Sequence, residues 1–315
     1  MPNPIQFQEH PFELTEITFR CQHARLLFRP GDEFNRRFIG CLGQALDKSG
    51  GAVRLHFGGS ESNHVHLIVS ARTVEDRARF KCHFRTNLSK EIGDLHDWKE
   101  HLFGRRTRDI PIREDALEER LMYCAAHGVK SNLVEKPQDW PGVQFVRAVT
   151  EGVVLKGVWY NRTKLYRALQ NWKRLKHPGK KPNLMQFAEP RTVALAPVPG
   201  FDEDLAETDR RVKWRWLVQE AVKRHAPTRA PLGVEKLMAA NPKAAPKKPK
   251  RSPAPKIHTK DPAVRAAWLA RYREAADGYG GHVLEVLVGK QKAADFPTEL
   301  VAPAWIRKLR AERPS

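Results

Sequence analysis

The segment Asn63-His64-Val65-His66-Leu67-Ile68-Val69 sets two imidazoles either side of one hydrophobic residue, inside an apolar run. Side chains alternate along a strand, so both histidines would face the same side of a sheet. Two neighbouring imidazoles can share a divalent cation, or they can form a hydrogen-bonded surface pair. A second pair, Tyr123 and His127, stands four residues apart beside a stripe of Leu117, Leu121 and Cys124. On a helix these two are about 40° apart and form one patch. Tyr123 is there either as a half-buried packing residue or as a nucleophile. His127 is either a third ligand or a helix-end histidine favoured by the macrodipole. Together the four residues fit one reaction. A cation held by His64, His66 and a helix ligand would polarise a scissile phosphate, and Tyr123 would attack phosphorus and become covalently attached. An unperturbed phenol ionises near pH ~10, so metal and basic surroundings would have to favour the phenolate. The product is a protein-linked DNA end that passes to another strand without water or ATP.

Such a site needs a sheet for the histidines and a helix for the tyrosine. Leu14–Cys21 reads as a first strand, and Asp32–Leu46 as a helix with Phe34, Phe38, Ile39, Leu42 and Leu46 at helical spacing. Gly50-Gly51 ends that helix. Ala52–Phe57 and His64–Ser70 are strands, with GGSES as the turn between them. A helix from about Thr73 to Ile92 starts at a capping pair, Thr73 with Asp76. A fourth strand fits within His101–Ile112, and a helix over Glu114–His127 has acids in its first turn. The order β-α-β-β-α-β followed by α is the split βαβ pattern: an α+β, ferredoxin-like antiparallel sheet with helices on one face. With Val65, Leu67 and Val69 toward the helices, the histidines face the open side of the sheet.

The chain has 315 residues, 41% hydrophobic and 29% charged, with a net charge of +20. That length suggests a domain with an appendage or two domains, and that charge suggests a polyanionic partner, nucleic acid before membrane. Residues 1–150 hold 22 Lys and Arg against 20 Asp and Glu, so the remainder carries almost all of the excess. Residues 152–188 contain no carboxylate, while Lys156, Arg162, Lys164, Arg167, Lys173, Arg174, Lys176, Lys180 and Lys181 interleave with Trp159, Tyr160, Tyr166 and Trp172. This is either a surface that tracks a nucleic-acid strand by phosphate contacts and base stacking, or a solvated basic face over a local core. Helices are expected over Arg162–Leu175, Asp202–Arg224 and Pro262–Val288. Residues 226–256, ending in KKPKRSPAPK, read as a disordered linker. The KKPKR run suits either a nuclear signal or a flexible DNA clamp. Four dispersed cysteines, Cys21, Cys41, Cys82 and Cys124, argue against a zinc ribbon or a disulfide framework and for a reducing cytoplasm. No secretory signal and no run of 18 apolar residues is present.

These motifs resemble the single-tyrosine HUH transposases, in particular the REP-associated tyrosine transposases of the insertion-sequence 200-like group. N-H-V-H-L-I-V is similar to that family's HUH strand. HLFGRR at 101–106 resembles its H-L-F-x-G-R segment. Tyr123-Cys-Ala-Ala-His127-Gly-Val-Lys-Ser-Asn-Leu-Val134, then Pro137-Gln-Asp-Trp-Pro141, resembles its Y-x-x-x-N-P-V-x-x-x-L-V and P-x-D-[YW]-P elements. The resemblance covers roughly residues 12–147. It implies a catalytic domain over 1–150, and charge and composition divide the rest into a basic, mostly helical nucleic-acid-binding extension over 151–225, the linker over 226–256 and a helical segment over 257–315. It also implies His64 and His66 as ligands of Mg²⁺ or Mn²⁺, Tyr123 as nucleophile, and a 5′-phosphotyrosine intermediate on single-stranded, hairpin-associated DNA. The expected setting is a bacterial cytoplasm at the nucleoid, with monomer and homodimer both open. Arg105 and Arg106 would hold the scissile phosphate or form a solvated strand end. Lys164, Arg167, Trp172, Lys173 and Arg174 are the expected DNA contacts of the extension. The chain departs from the pattern at His127, where the family has an amide, and at Gly128, where it has proline. The third-ligand role passes to His127, and three imidazoles shift the preference from Mg²⁺ toward Mn²⁺ or a later metal. The same departures keep open a domesticated DNA-binding protein that has lost turnover. A replication or mobilisation nuclease is disfavoured by the short chain and the lack of a helicase-like segment.

Overall fold

The structure, a computed structural model, describes residues 6–104, 107–177, 179–226, 230–245 and 255–312. In chain order they form β1 (Thr15–Arg20), α1 (Asp32–Ser49), β2 (Val53–Ser60), β3 (His64–Ala71), α2 (Val74–His96), β4 (Arg108–Pro111), α3 (Glu114–Ala125), α4 (His127–Lys130), α5 (Val146–Glu151), β5 (Leu155–Tyr160), α6 (Arg162–Arg174), β6 (Ala188–Val193), α7 (Glu207–His225), α8 (Glu235–Ala239), α9 (Pro262–Leu287) and α10 (Ala304–Glu312). The first four strands form one sheet in the order β2-β3-β1-β4, antiparallel at every seam. That is the split βαβ topology expected from the element order. None of the described helices is long and apolar enough to cross a membrane.

Period-two alternation sorts the sheet into two faces. Val65, Leu67 and Val69 on β3 and Ile17 and Phe19 on β1 are buried, on the face toward α1 and α2, where Phe84 meets Phe19 at 5.8 Å and Phe38 at 5.2 Å. Glu16 and Thr18, paired with Ile68 and His66, share the opposite face with the histidines. That face is not open. The register of β2 slips between Leu55 and Phe57, a bulge that turns Phe57 to the histidine side. There it stacks on Trp214 of α7 at 4.7 Å. Phe57, Ile68 and Trp214 are fully buried, and such apolar area on a sheet face requires a covering layer. Helices α3 and α7 supply it, so the expectation of an uncovered histidine face gives way to helices on both sides.

The glycines of GGSES belong to β2, and the turn is made by residues 61–63. A Cβ on Gly58 would collide with the His66 carbonyl, and one on Gly59 would lie 2.9 Å from the Val143 carbonyl oxygen. These two glycines therefore serve close backbone approach beside the histidine strand rather than a turn. Thr73 caps α2 by accepting from Asp76 N at 3.1 Å. The Asp76 carboxylate accepts from the Thr73 hydroxyl instead of closing the reciprocal box.

The helices expected in the basic half over Arg162–Leu175, Asp202–Arg224 and Pro262–Val288 form as α6, α7 and α9, and two strands lie among them. β5 and β6 pair as a hairpin that lies across α1 at Gly40 and Gly157, where an added Cβ would meet backbone on either side. In the stretch expected to be a disordered linker, the described part holds α8. Its Leu237, with Val234, packs on Val129, Val134 and Trp140. The KKPKR run lies outside the described residues. The C-terminal segment builds a second core from Ile257, Trp268, Val286, Phe296, Leu300, Ala302 and Ile306 around Phe7 from the other end of the chain.

Candidate metal centre

β3 and the α3–α4 turn bring His64, His66, His127 and Tyr123 together. The ring centroids of His66 lie 4.9 Å from His64 and 4.3 Å from His127. One ring nitrogen from each of the three histidines lies within 4.8 Å of the other two. Tyr123 stands 5.3 Å from His127 and 6.1 Å from His66, centroid to centroid. The helix expected over Glu114–His127 breaks at Ala126, whose backbone (φ −84°, ψ 8°) leaves the helical range. The turn still closes, with Ala126 N donating to Met122 O at 2.9 Å and Lys130 N to Ala126 O at 2.7 Å. Tyr123 and His127 therefore keep a common side. Gly128 allows α4 to press on its neighbours, since an added Cβ would come within 2.9 Å of Val134 and 3.4 Å of Trp140. Trp140 is anchored in turn by its indole N–H on Ser60 O at 2.9 Å.

The outer contacts prepare the rings. His66 Nδ1 is 2.6 Å from Glu16 Oε1, and His64 Nδ1 is 2.6 Å from Asn63 Oδ1. With the Nδ1 protons assigned to those oxygens, Nε2 of each ring keeps its lone pair, the arrangement carboxylate–histidine–metal sites use. Burial, reinforced by the neighbouring His66, pushes His64 and His127 well below the usual imidazole range. Both rings are neutral at pH 7 and need shed no proton to bind a cation. His127 Nε2 is buried without a hydrogen-bond partner among the described residues. A buried orphan nitrogen beside two oriented imidazoles is a donor set that fits a divalent cation. A second group, Glu16, His66 and Cys124, is close enough to be considered. It is the poorer set, because burial pushes the Cys124 thiol up and Glu16 is already held by Arg120 at 2.8–3.1 Å. Burial alone would raise the Glu16 carboxyl, but contacts to His258, His66 and Arg120 hold it well below its usual value.

Two cations lie over the Tyr123 ring. Arg120 Cζ is 4.1 Å and Lys130 Nζ 3.6 Å from its centroid. His225, at the end of α7, stands 6.2 Å away and perpendicular.

Comparison with protein-family models returns no match, and comparison with curated proteins returns none. Among solved structures, one of a REP-associated tyrosine transposase bound to a REP hairpin matches with a TM-score of 0.35 and 16% identity, over 46% of this chain and 84% of that one.

The other expected site residues lie elsewhere. Arg105 and Arg106 fall outside the described residues. Lys164, Arg167, Trp172, Lys173 and Arg174 lie on α6, which follows the β5–β6 hairpin's first strand across α1. The hairpin packs on α1, on the sheet face opposite the histidines. The acid-free stretch is also partly neutralised in space: Arg162 pairs with Glu91 at 3.0 Å and Lys164 with Glu189 at 2.8 Å. Its aromatics divide. Tyr160 is buried under Arg37, and Trp159 donates to Asn87 Oδ1 at 3.2 Å with Arg191 over its ring, so these two are packing residues. Tyr166 remains 62% exposed, and Trp172 lies against His177 at 3.9 Å.

Glu16, Asn63, Arg120, Lys130, His225 and His258 were not identified as site residues from the sequence. Only Glu16 carried a readable signal: in Thr15-Glu16-Ile17-Thr18-Phe19 it alternates with the core residues, which marks the non-helical face of β1.

Proposed function

We propose that this chain is a metal-dependent, single-tyrosine strand transferase and endonuclease acting on single-stranded, hairpin-associated DNA, of the REP-associated tyrosine transposase type. The observation that carries the reading is the convergence of three imidazoles and Tyr123 on one spot of the covered sheet face. His64, His66 and His127 would hold the divalent cation. Once bound, it would supply Lewis-acid stabilisation of charge on the scissile phosphate. The Tyr123 oxygen attacks phosphorus, its bond to phosphorus forms as the bond to the 3′ oxygen breaks, and the 3′ hydroxyl leaves with a proton. The 5′ phosphate stays on Tyr123. Arg120 and Lys130, both close to the phenol ring, present positive charge to the approaching phosphate.

The test is incubation with hairpin-bearing single-stranded DNA, with a denaturing gel for a covalent adduct. The adduct forms with Mn²⁺, is lost with chelator, and is more abundant in Mn²⁺ than in Mg²⁺ at equal concentration because three imidazoles are softer than a set containing an amide oxygen. Equal yields in the two metals would remove His127 from the ligand set. DNA binding without adduct on any substrate would favour a binding protein on the same fold.

α6 offers the phosphate contacts. Lys173 and Arg174 form no ion pair among the described residues, unlike Lys164. Reversing both to glutamate weakens DNA binding and flattens its salt dependence by about 1.4 in log–log slope, the value for two single-strand phosphate contacts. An unchanged slope, measured by anisotropy across salt concentrations, would exclude α6 as a main contact.

A further inference from the structure

His258 reaches the metal centre from the far end of the chain. Its Nε2 lies 2.8 Å from Glu16 Oε2, a close polar contact. Glu16 is 1% exposed, and its other oxygen meets His66 Nδ1. Arg120 Nη2 spans both oxygens. The carboxylate is thus held on three sides, by a ligand histidine, by the Tyr123 helix and by the C-terminal segment.

The segment carrying His258 is fixed by its backbone. Ile112 and His258 form a parallel bridge beside β4. His258 N donates to Pro111 O at 2.8 Å, and Arg113 N donates to His258 O at 2.9 Å. β4 pairs with β1, where Ile110 faces Glu16 across the seam, so the bridge places His258 one strand outside the carboxylate. The next residues grip the first turn of α3. The Thr259 hydroxyl, Lys260 N and Asp261 N donate to Asp115 Oδ2 at 2.8, 2.6 and 3.1 Å. Residues 258–261 thereby tie the sheet edge that neighbours Glu16 to the helix that carries Arg120 and Tyr123. A purely structural clasp would be complete with these backbone and Asp115 contacts. The imidazole adds nothing to them and is spent on Glu16.

We propose that His258 is a positioning residue of the metal centre, holding Glu16 in the orientation that fixes the His66 ring, so that the C-terminal segment is a built part of the site. The proposal rests on the metal-centre reading above. Outer contacts to metal-ligating histidines are worth roughly 10–100-fold in metal affinity when removed. Arg120 remains on Glu16 in a His258 variant, which places the expected loss at the lower end of that range.

The experiment is Mn²⁺ titration of the full chain by calorimetry, with thermal melting of the metal-free proteins alongside. His258→Ala keeps the backbone bridge and binds Mn²⁺ about tenfold more weakly. His258→Gln, whose amide can still donate to Glu16 Oε2, recovers most of that loss. Melting temperature follows the clasp and so moves little in either variant. Mn²⁺ affinity within about twofold of wild type in a folded His258→Ala protein would overturn the proposal, as would a glutamine variant as weak as alanine. Wild-type protein that binds no Mn²⁺ would overturn the metal-centre reading itself, a result distinct from equal binding by both proteins.

Discussion

Tyr123→Phe abolishes the covalent adduct while leaving DNA binding within about twofold of wild type. The loss of cleavage exceeds about a thousandfold, because no other group takes over covalent attachment when a nucleophile is deleted. The substitution is informative because it is structurally mild. The ring is held by its π-system, with Arg120 at 4.1 Å, Lys130 at 3.6 Å and His127 at 5.3 Å. Phenylalanine keeps the shape and the cation–π contacts, so only the reacting oxygen is removed. The variant should melt within a degree or two of wild type, at most a few tenths of a kcal/mol for a domain of this size. A persisting adduct in Tyr123→Phe would assign attachment to another residue. Lost binding would show that the hydroxyl serves recognition and not attack.

The parts of the site that were legible in the sequence are the local ones. His64 and His66 share a face because of the two-residue period of β3, and Tyr123 and His127 meet because of a four-residue helical offset. The helix break at Ala126 was not legible, yet it preserves that offset. What escaped depends on distant pairing. Glu16 meets His66 only because β1 lies beside β3 in the sheet, and His258 meets Glu16 only through a bridge formed after residues whose Pro, Ala and Lys content masks any order. The covered histidine face has the same origin. The bulge at His56 moves Phe57 to a face that simple alternation from Leu55 would not give it, and α7 covers it from 150 or so positions along the chain. The basic stretch was legible as charge but not as place. Composition does not reveal that β5 lies across α1 through Gly40 and Gly157, nor that Glu91 and Glu189 neutralise Arg162 and Lys164.

Glu16→Gln is expected to have the second-largest effect, on stability and on metal affinity together, and the two can be separated. The carboxylate faces Arg120 at 2.8–3.1 Å and His66 at 2.6 Å. Glutamine has one acceptor oxygen for these partners and for His258 at 2.8 Å, so at least one of the three is left against an amide N–H. Breaking a buried charged pair from one side costs about 3–5 kcal/mol, most of it from the partner left uncompensated. The Arg120 side chain is 17% exposed against 2% for the Glu16 side chain, so partial hydration of the guanidinium sets the cost at the lower end. Adding Arg120→Met removes the stranded charge and should recover most of the stability, since an apolar residue of similar length can replace a buried pair at little cost. It should not recover metal affinity, because His66 still lacks the carboxylate that fixes its ring. Urea unfolding and Mn²⁺ titration of the single and double variants measure the two quantities independently. If the double variant regained wild-type Mn²⁺ affinity along with its stability, Glu16 would be a partner of Arg120 alone, and the orientation of His66 would have to come from the sheet itself.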